Sequence, residues 1–245
     1  MSEWAAKRFW KDVCIVEKGD AFGVELDGRP LKTPAKTELL MPTQQLAVEV
    51  AAEWQAAKEV IDPQSMPWTR SANSAVDKIV KQRRDIEGHL IGYAETDLTC
   101  YRADGPTKLV ERQAEAWDHL VEWASGTFGV SFNVTTGVMP VAQSPEMLVR
   151  LRELMSPMSA FELTGFHDLV TLSGSYVIAL AVAAERDSVE ALWAASRVDE
   201  DYQIQEWGAD EEAVEQATLR KAAFLHANHF FRYAKKTGSI NGLSH

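Results

Sequence analysis

The chain has 245 residues, 46% apolar and 25% charged, with a net charge of −11 and a pI of about 5.1. That composition is globular and leaves room for one large domain or two small ones, which excludes a disordered chain. The acid excess argues against nucleic-acid and membrane-surface partners, and two scattered cysteines, Cys14 and Cys100, exclude a disulfide framework or a thiolate zinc site and suit a reducing compartment.

Residues 1–10 lack the apolar run of a signal peptide, and Glu3 is out of place in an organelle presequence. The expectation is a soluble cytoplasmic protein, or a matrix protein whose presequence has been removed. Val13–Val16 is a short apolar run, and Phe22, Val24 and Leu26 alternate as in a half-buried strand. Asp27-Gly28 signals a hairpin turn. Pro30 and Pro34 confine the segment 29–34 to a sheet edge, and 37–41 reads as another short strand.

The period changes after Pro42. Leu46, Val50, Trp54, Ala57 and Ile61 recur at helical spacing, with Thr43 as N-cap. Asp62-Pro63 and Met66-Pro67 interrupt the chain. The expected organisation is α+β: a small antiparallel β-rich N-terminal domain over 1–66, a larger all-α helical domain over 67–237, and a flexible tail over 238–245.

Within the helical part, one helix carries Ala72, Val76 and Ile79 and a second Ile86, Leu90 and Ala94. Pro106 opens a third, with Trp117, Leu120 and Val121 on its face. Residues 132–137 look extended, and Ser144-Pro145 restarts a helix. Ser159–Glu162 and Asp187–Glu190 both fit the capping box, the second opening the helix that holds Glu200. Gly208 ends that helix, and Asp210-Glu211-Glu212 starts a last long one. Read as one helix, this region puts Glu200 on the stripe of Trp193, Ile204 and Trp207. A carboxylate there either pairs with an arginine from a neighbouring helix (Arg197, Arg220 or Arg232) or serves a surface role. The flanking acids Asp199, Asp201, Glu206, Asp210, Glu211 and Glu212 read as a solvated face or as a patch for a basic partner.

Phosphate-binding loops, dinucleotide fingerprints and the nucleophile elbow are absent from the sequence. His226 and His229, three residues apart, lack a third metal ligand and read as helix-surface histidines. His167 and Asp168 with Ser173 hold the residue types of a triad, but adjacent helix positions point about 100° apart, so no relay is expected. A hydrolase or metal enzyme built on these histidines is the alternative, and a scaffold for another protein partner a third. Asp97 and Arg102 read as an ion pair that fixes a helix junction under Tyr93 and Tyr101. Of the eight tryptophans, Trp54, Trp117, Trp123 and Trp193 sit at core positions, whereas Trp4, Trp10 and Trp68 are the candidates for exposure.

Several segments together resemble one family. They are Lys7–Lys11, the hairpin Leu26–Pro34, Glu53-Trp54, Met66–Thr69 with Asn73, Thr96–Arg102, Gln113 with Trp117-Asp118, and Asp199–Gly208. In that order they resemble the assembly chaperone of the ATP synthase catalytic sector, from about residue 7 to about 235. The resemblance implies a non-enzymatic protein without cofactor or metal that binds the free alpha subunit until beta replaces it. It implies that Glu200 matters for chaperone action and that Trp54 is sensitive to substitution. The partner-binding candidates are therefore Glu200, Asp199, Asp201, Gln203 and Trp207, with Trp54, Asp97 and Arg102 structurally sensitive. The protein is expected to act as a monomer without entering the membrane.

Overall fold

Asp27 and Gly28 adopt positive φ, 49° and 74°, and this turn organises the N-terminal sheet of the computed structural model, which describes residues 7–236. The Asp27 carboxylate accepts from the backbone N–H groups of Asp12 and Lys11, at 2.9 and 3.0 Å. Those bonds hold it below the ordinary carboxylate range. Strand β2 (Ala21–Leu26) is central, antiparallel to β1 (Val13–Lys18), β3 (Arg29–Pro30) and β4 (Leu40–Met41). The expected strands at 29–34 and 37–41 shrink to two-residue pairs; in the first, Pro30 and Pro34 have no N–H with which to extend the ladder.

Thr43 caps α1 (Gln44–Ala56), accepting from the Leu46 N–H, and donates its hydroxyl to the Tyr233 carbonyl. The helix stops at Ala56 rather than reaching Ile61, whose side chain packs onto the core from the following loop. Beyond a short turn at Pro63–Ser65 lie α2 (Pro67–Ser74), a π-helical turn at Ala75–Ile79, and α3 (Val80–Glu95), kinked at Gln82. Gln82 leaves helical geometry, at φ −119° and ψ 21°, so Ala72, Val76 and Ile79 lie on one side of the kink and Ile86, Leu90 and Ala94 on the other, as the two expected helices require.

Two units divide the chain. The first takes residues up to Arg83, together with Ser159–Gly165 and the end of the last helix from His229. The expected boundary near residue 66 lies inside this unit, because Ala72 and Ala75 belong to the same core as Trp10, Val24, Leu26, Leu46 and Val50. Phe161, Phe230 and Ala234 complete that core from late in the chain. Ser159 opens α6 (Ala160–Ser173) with the expected reciprocal cap: Ser159 N–H to Glu162 at 2.8 Å, and Glu162 N–H to the Ser159 hydroxyl at 3.1 Å.

The second unit takes Arg84–Met158 and Phe166–Asn228. Its helices are the rest of α3, α4 (Thr107–Phe128), α5 (Pro145–Met155), the rest of α6, α7 (Tyr176–Ala183), α8 (Val189–Ala195), α9 (Val198–Trp207) and most of α10 (Glu211–Ala234). The expected extended segment contributes β6 (Thr135–Thr136), parallel to β5 (Tyr101–Arg102). Every residue of α7 is buried, and α4 packs against both α7 and α9. Trp117, Leu120, Leu151 and Tyr176 are wholly buried. No helix among the described residues is long and apolar enough to cross a membrane. Trp4 and the expected tail at 238–245 lie outside the described residues.

Candidate functional site

The helix of Glu200 is not the one that Ser188 opens. Ser188 caps α8, which ends at Ala195; the chain turns through Ser196 and Arg197, and α9 begins afresh at Val198. Trp193 is buried on α8 and packs on Phe224, so it shares no stripe with Glu200.

Helix α9 has two faces with different fates. Positions 199 and 202 face α4, as their three-residue spacing allows. Asp199 accepts from the Gln113 side-chain amide at 2.6 Å, and that amide's oxygen accepts from the Ala103 N–H at 2.8 Å. Tyr202 is buried, with the Arg112 guanidinium 5.4 Å from its ring centre. Just before α9, the Trp117 indole donates to the Ala195 carbonyl at 2.7 Å.

The outward face carries Glu200, Gln203, Ile204 and Trp207, at spacings of three, four and seven residues. These line a groove of about 410 Å³ with Gly208, Asp210, Ala213, Gln216, Ala217 and Arg220 of the following segment and α10. Gly208 makes this arrangement possible: at φ 93° and ψ 162° it ends α9 and lets the chain turn into α10. Trp207 is 79% exposed, the one largely exposed tryptophan among the described residues, whereas Trp10 is buried and Trp68 stacks on Tyr233. Glu200 is at once paired and accessible. Its Oε1 accepts from Arg197 at 2.8 Å, yet its side chain remains 46% exposed. The arginine comes from the N-cap of its own helix, not from a neighbouring one; Arg220 instead donates to the Leu172 carbonyl.

Three of the five partner-binding candidates thus meet in the groove. Asp199 is turned onto α4, and Asp201 is exposed but does not line the groove.

The expected Asp97–Arg102 pair does not form. Asp97 is fully buried and accepts from four donors: the Thr99 N–H and hydroxyl, the Ser175 hydroxyl, and the Val177 N–H at 3.0 Å. It thereby caps both the short turn Leu98–Cys100 and the start of α7, where the helix dipole favours a carboxylate. Burial pushes its pKa up and these hydrogen bonds oppose the shift. Arg102 meets Asp118 at 2.7 Å, donates to the Thr99 carbonyl, and lies 5.2 Å from the Trp117 ring centre.

Trp54 donates its indole to the Thr69 hydroxyl at 3.1 Å, and its carbonyl accepts from Trp10. Its neighbour Glu53, not singled out from sequence, accepts from the N–H groups of Trp68 and Thr69 and from the Thr69 hydroxyl. Glu53 therefore caps α2, whose own N-cap, Met66, has no side chain able to do so. That deficiency was the available signal. Burial raises the Glu53 pKa against these hydrogen bonds.

The histidine readings lead elsewhere. His167 Nδ1 lies 3.0 Å from Asp168, but the Ser173 hydroxyl is buried and donates to the Leu169 carbonyl, away from any relay. His229 stacks on Tyr233, and the described residues hold no cluster of three metal-ligating side chains.

Residues 7–125 match the family model of the ATP12 chaperone protein. The chain is 26% identical over 222 residues to the mitochondrial protein atp12 of Schizosaccharomyces pombe, covering 85% of this chain and 76% of that protein. Among solved structures, Atp12 from Paracoccus denitrificans superposes with a TM-score of 0.90 at 45% identity, over 95% of this chain and 100% of that one. A mutant of the same protein with lysine in place of an aspartate gives a TM-score of 0.91, also at 45% identity, over 96% and 100%. The Atu1473 protein of Agrobacterium tumefaciens gives 0.89 at 35% identity, over 94% of this chain and 86% of that one.

Proposed function

The chain belongs to the ATP12 chaperone family and is an ATP synthase assembly chaperone, a non-enzymatic role, and from this we propose that it binds the free alpha subunit through the α9–α10 groove. The observation that carries the reading is an exposed Trp207 beside the accessible carboxylate of Glu200. A large aromatic at the surface with a polar neighbour is the usual composition of a binding hot spot. The chaperone covers an apolar surface of alpha destined for beta, keeps alpha from aggregating, and is displaced when beta competes for that surface. Release then follows from a difference of affinities and needs no nucleotide. We assign it to the bacterial cytoplasm, acting as a monomer.

Size-exclusion chromatography with isolated alpha subunit tests the reading. Wild type is expected to co-elute with alpha and suppress its light scattering. Trp207→Ala and Glu200→Ala are each expected to weaken binding about tenfold or more while keeping native helix content. Wild type that leaves alpha aggregating and elutes alone removes the client; full binding by both variants moves the site elsewhere.

A further inference from the structure

We propose that the α9–α10 groove takes a client segment in which an apolar side chain is flanked by lysine or arginine. The inference rests on the reading of this groove as the client site. Its apolar lining is formed by Ile204, Trp207, Ala213 and Ala217. The chain around it is one-signed: residues 198–219 hold eight carboxylates and no lysine or arginine. The two arginines at its margins are already engaged, Arg197 with Glu200 and Arg220 with the Leu172 carbonyl. Glu200 Oε2, by contrast, has no hydrogen-bond partner among the described residues.

These facts discriminate between occupants. A wholly apolar segment closing over the groove would strip water from the free Glu200 oxygen without replacing its hydrogen bonds, which is costly for a charged group. An acidic segment would add repulsion. A segment with an aliphatic or aromatic side chain on Trp207 and an ammonium or guanidinium group on Glu200 satisfies both the apolar lining and the carboxylate.

The test uses two synthetic peptides of equal length with the same central Leu-Phe pair, one flanked by lysines and the other by glutamates. Each is titrated into the full chain while the Trp207 indole N–H is followed by NMR. The lysine peptide is expected to shift that resonance and to bind at least about tenfold tighter, with a preference that fades at high salt. Glu200→Gln is expected to weaken it several-fold and Glu200→Lys to reverse the preference. Glu17→Lys, an equal charge change at an exposed strand position, is expected to leave it intact. Equal affinities, no shift with either peptide, or a preference that Glu17→Lys abolishes as fully as Glu200→Lys overturns the inference. Co-elution with alpha, measured in parallel, separates the two levels. Retained alpha with no peptide preference refutes the basic-segment chemistry alone, whereas loss of alpha binding by wild type refutes the client reading itself.

Discussion

At the scale of single residues, the carboxylates of this chain divide by what donates to them. Asp97 is buried among four donors and closes two helix starts, so Asp97→Ala would leave those donors without an acceptor. It is expected to destabilise the protein by roughly 3 kcal/mol or more, read from urea unfolding midpoints at constant slope. Glu200 is the opposite case, a carboxylate with one oxygen paired and its side chain open to solvent, so its replacement is expected to affect binding rather than stability. The two thiols divide in the same way. Burial, reinforced by the Asp97 charge, pushes the Cys100 thiol up to about 12, while Cys14 is exposed. At pH 8 the native protein is expected to react with a thiol reagent at Cys14 alone, Cys100 following only on unfolding. Two equivalents of rapid labelling in the native state would contradict this. The sequence singled out Asp97 through a pair with Arg102 that does not form. Two of its four donors, from Ser175 and Val177, lie near eighty positions away and left no local trace.

At the scale of elements, two contacts decide how helices are presented. In the first unit, Gly165 of α6 crosses α10 so closely that a Cβ would lie 2.8 Å from the backbone nitrogen of Phe231. Backbone cannot swing aside as a side-chain tip does, so Gly165→Ala is expected to cost about 1–3 kcal/mol and lower the thermal midpoint. In the second unit, α9 has no side-chain N-cap and a single buried residue, Tyr202. The Gln113–Asp199 bond is therefore a principal restraint on the helix that offers Glu200 and Trp207. Gln113→Ala is expected to raise amide exchange across α9 about tenfold or more while the middle of α4 stays protected. Uniform change in both helices, or none in α9, would show that the bond does not restrain α9 selectively. Helix starts at Thr43, Ser144, Ser159 and Asp210 were legible because a cap acts over three residues. The break between α8 and α9 was not, since Trp193 and Glu200 keep helical spacing straight through it.

At the scale of the whole molecule, the N-terminal unit is discontinuous. Its core includes Phe161, Phe230 and Ala234, which lie far along the chain from the strands and α1. A fragment ending at Arg83 is accordingly expected to remain unfolded by circular dichroism and amide NMR, for want of those side chains. A well-dispersed spectrum from the fragment alone would refute this. By itself the sequence determined the α+β class, the β-rich start, several helix starts, the absence of nucleotide motifs and the resemblance that the comparisons support. Those features are written in periodicity, turn residues, caps and short motifs, which act within a few positions. Only the tertiary structure decided which core α2 joins, which carboxylate meets which donor, and which face of Asp199–Gly208 is free. A helix repeats its chemistry around its axis, and packing against α4 turns Asp199 and Tyr202 inward while leaving Glu200, Gln203 and Trp207 on the outward face.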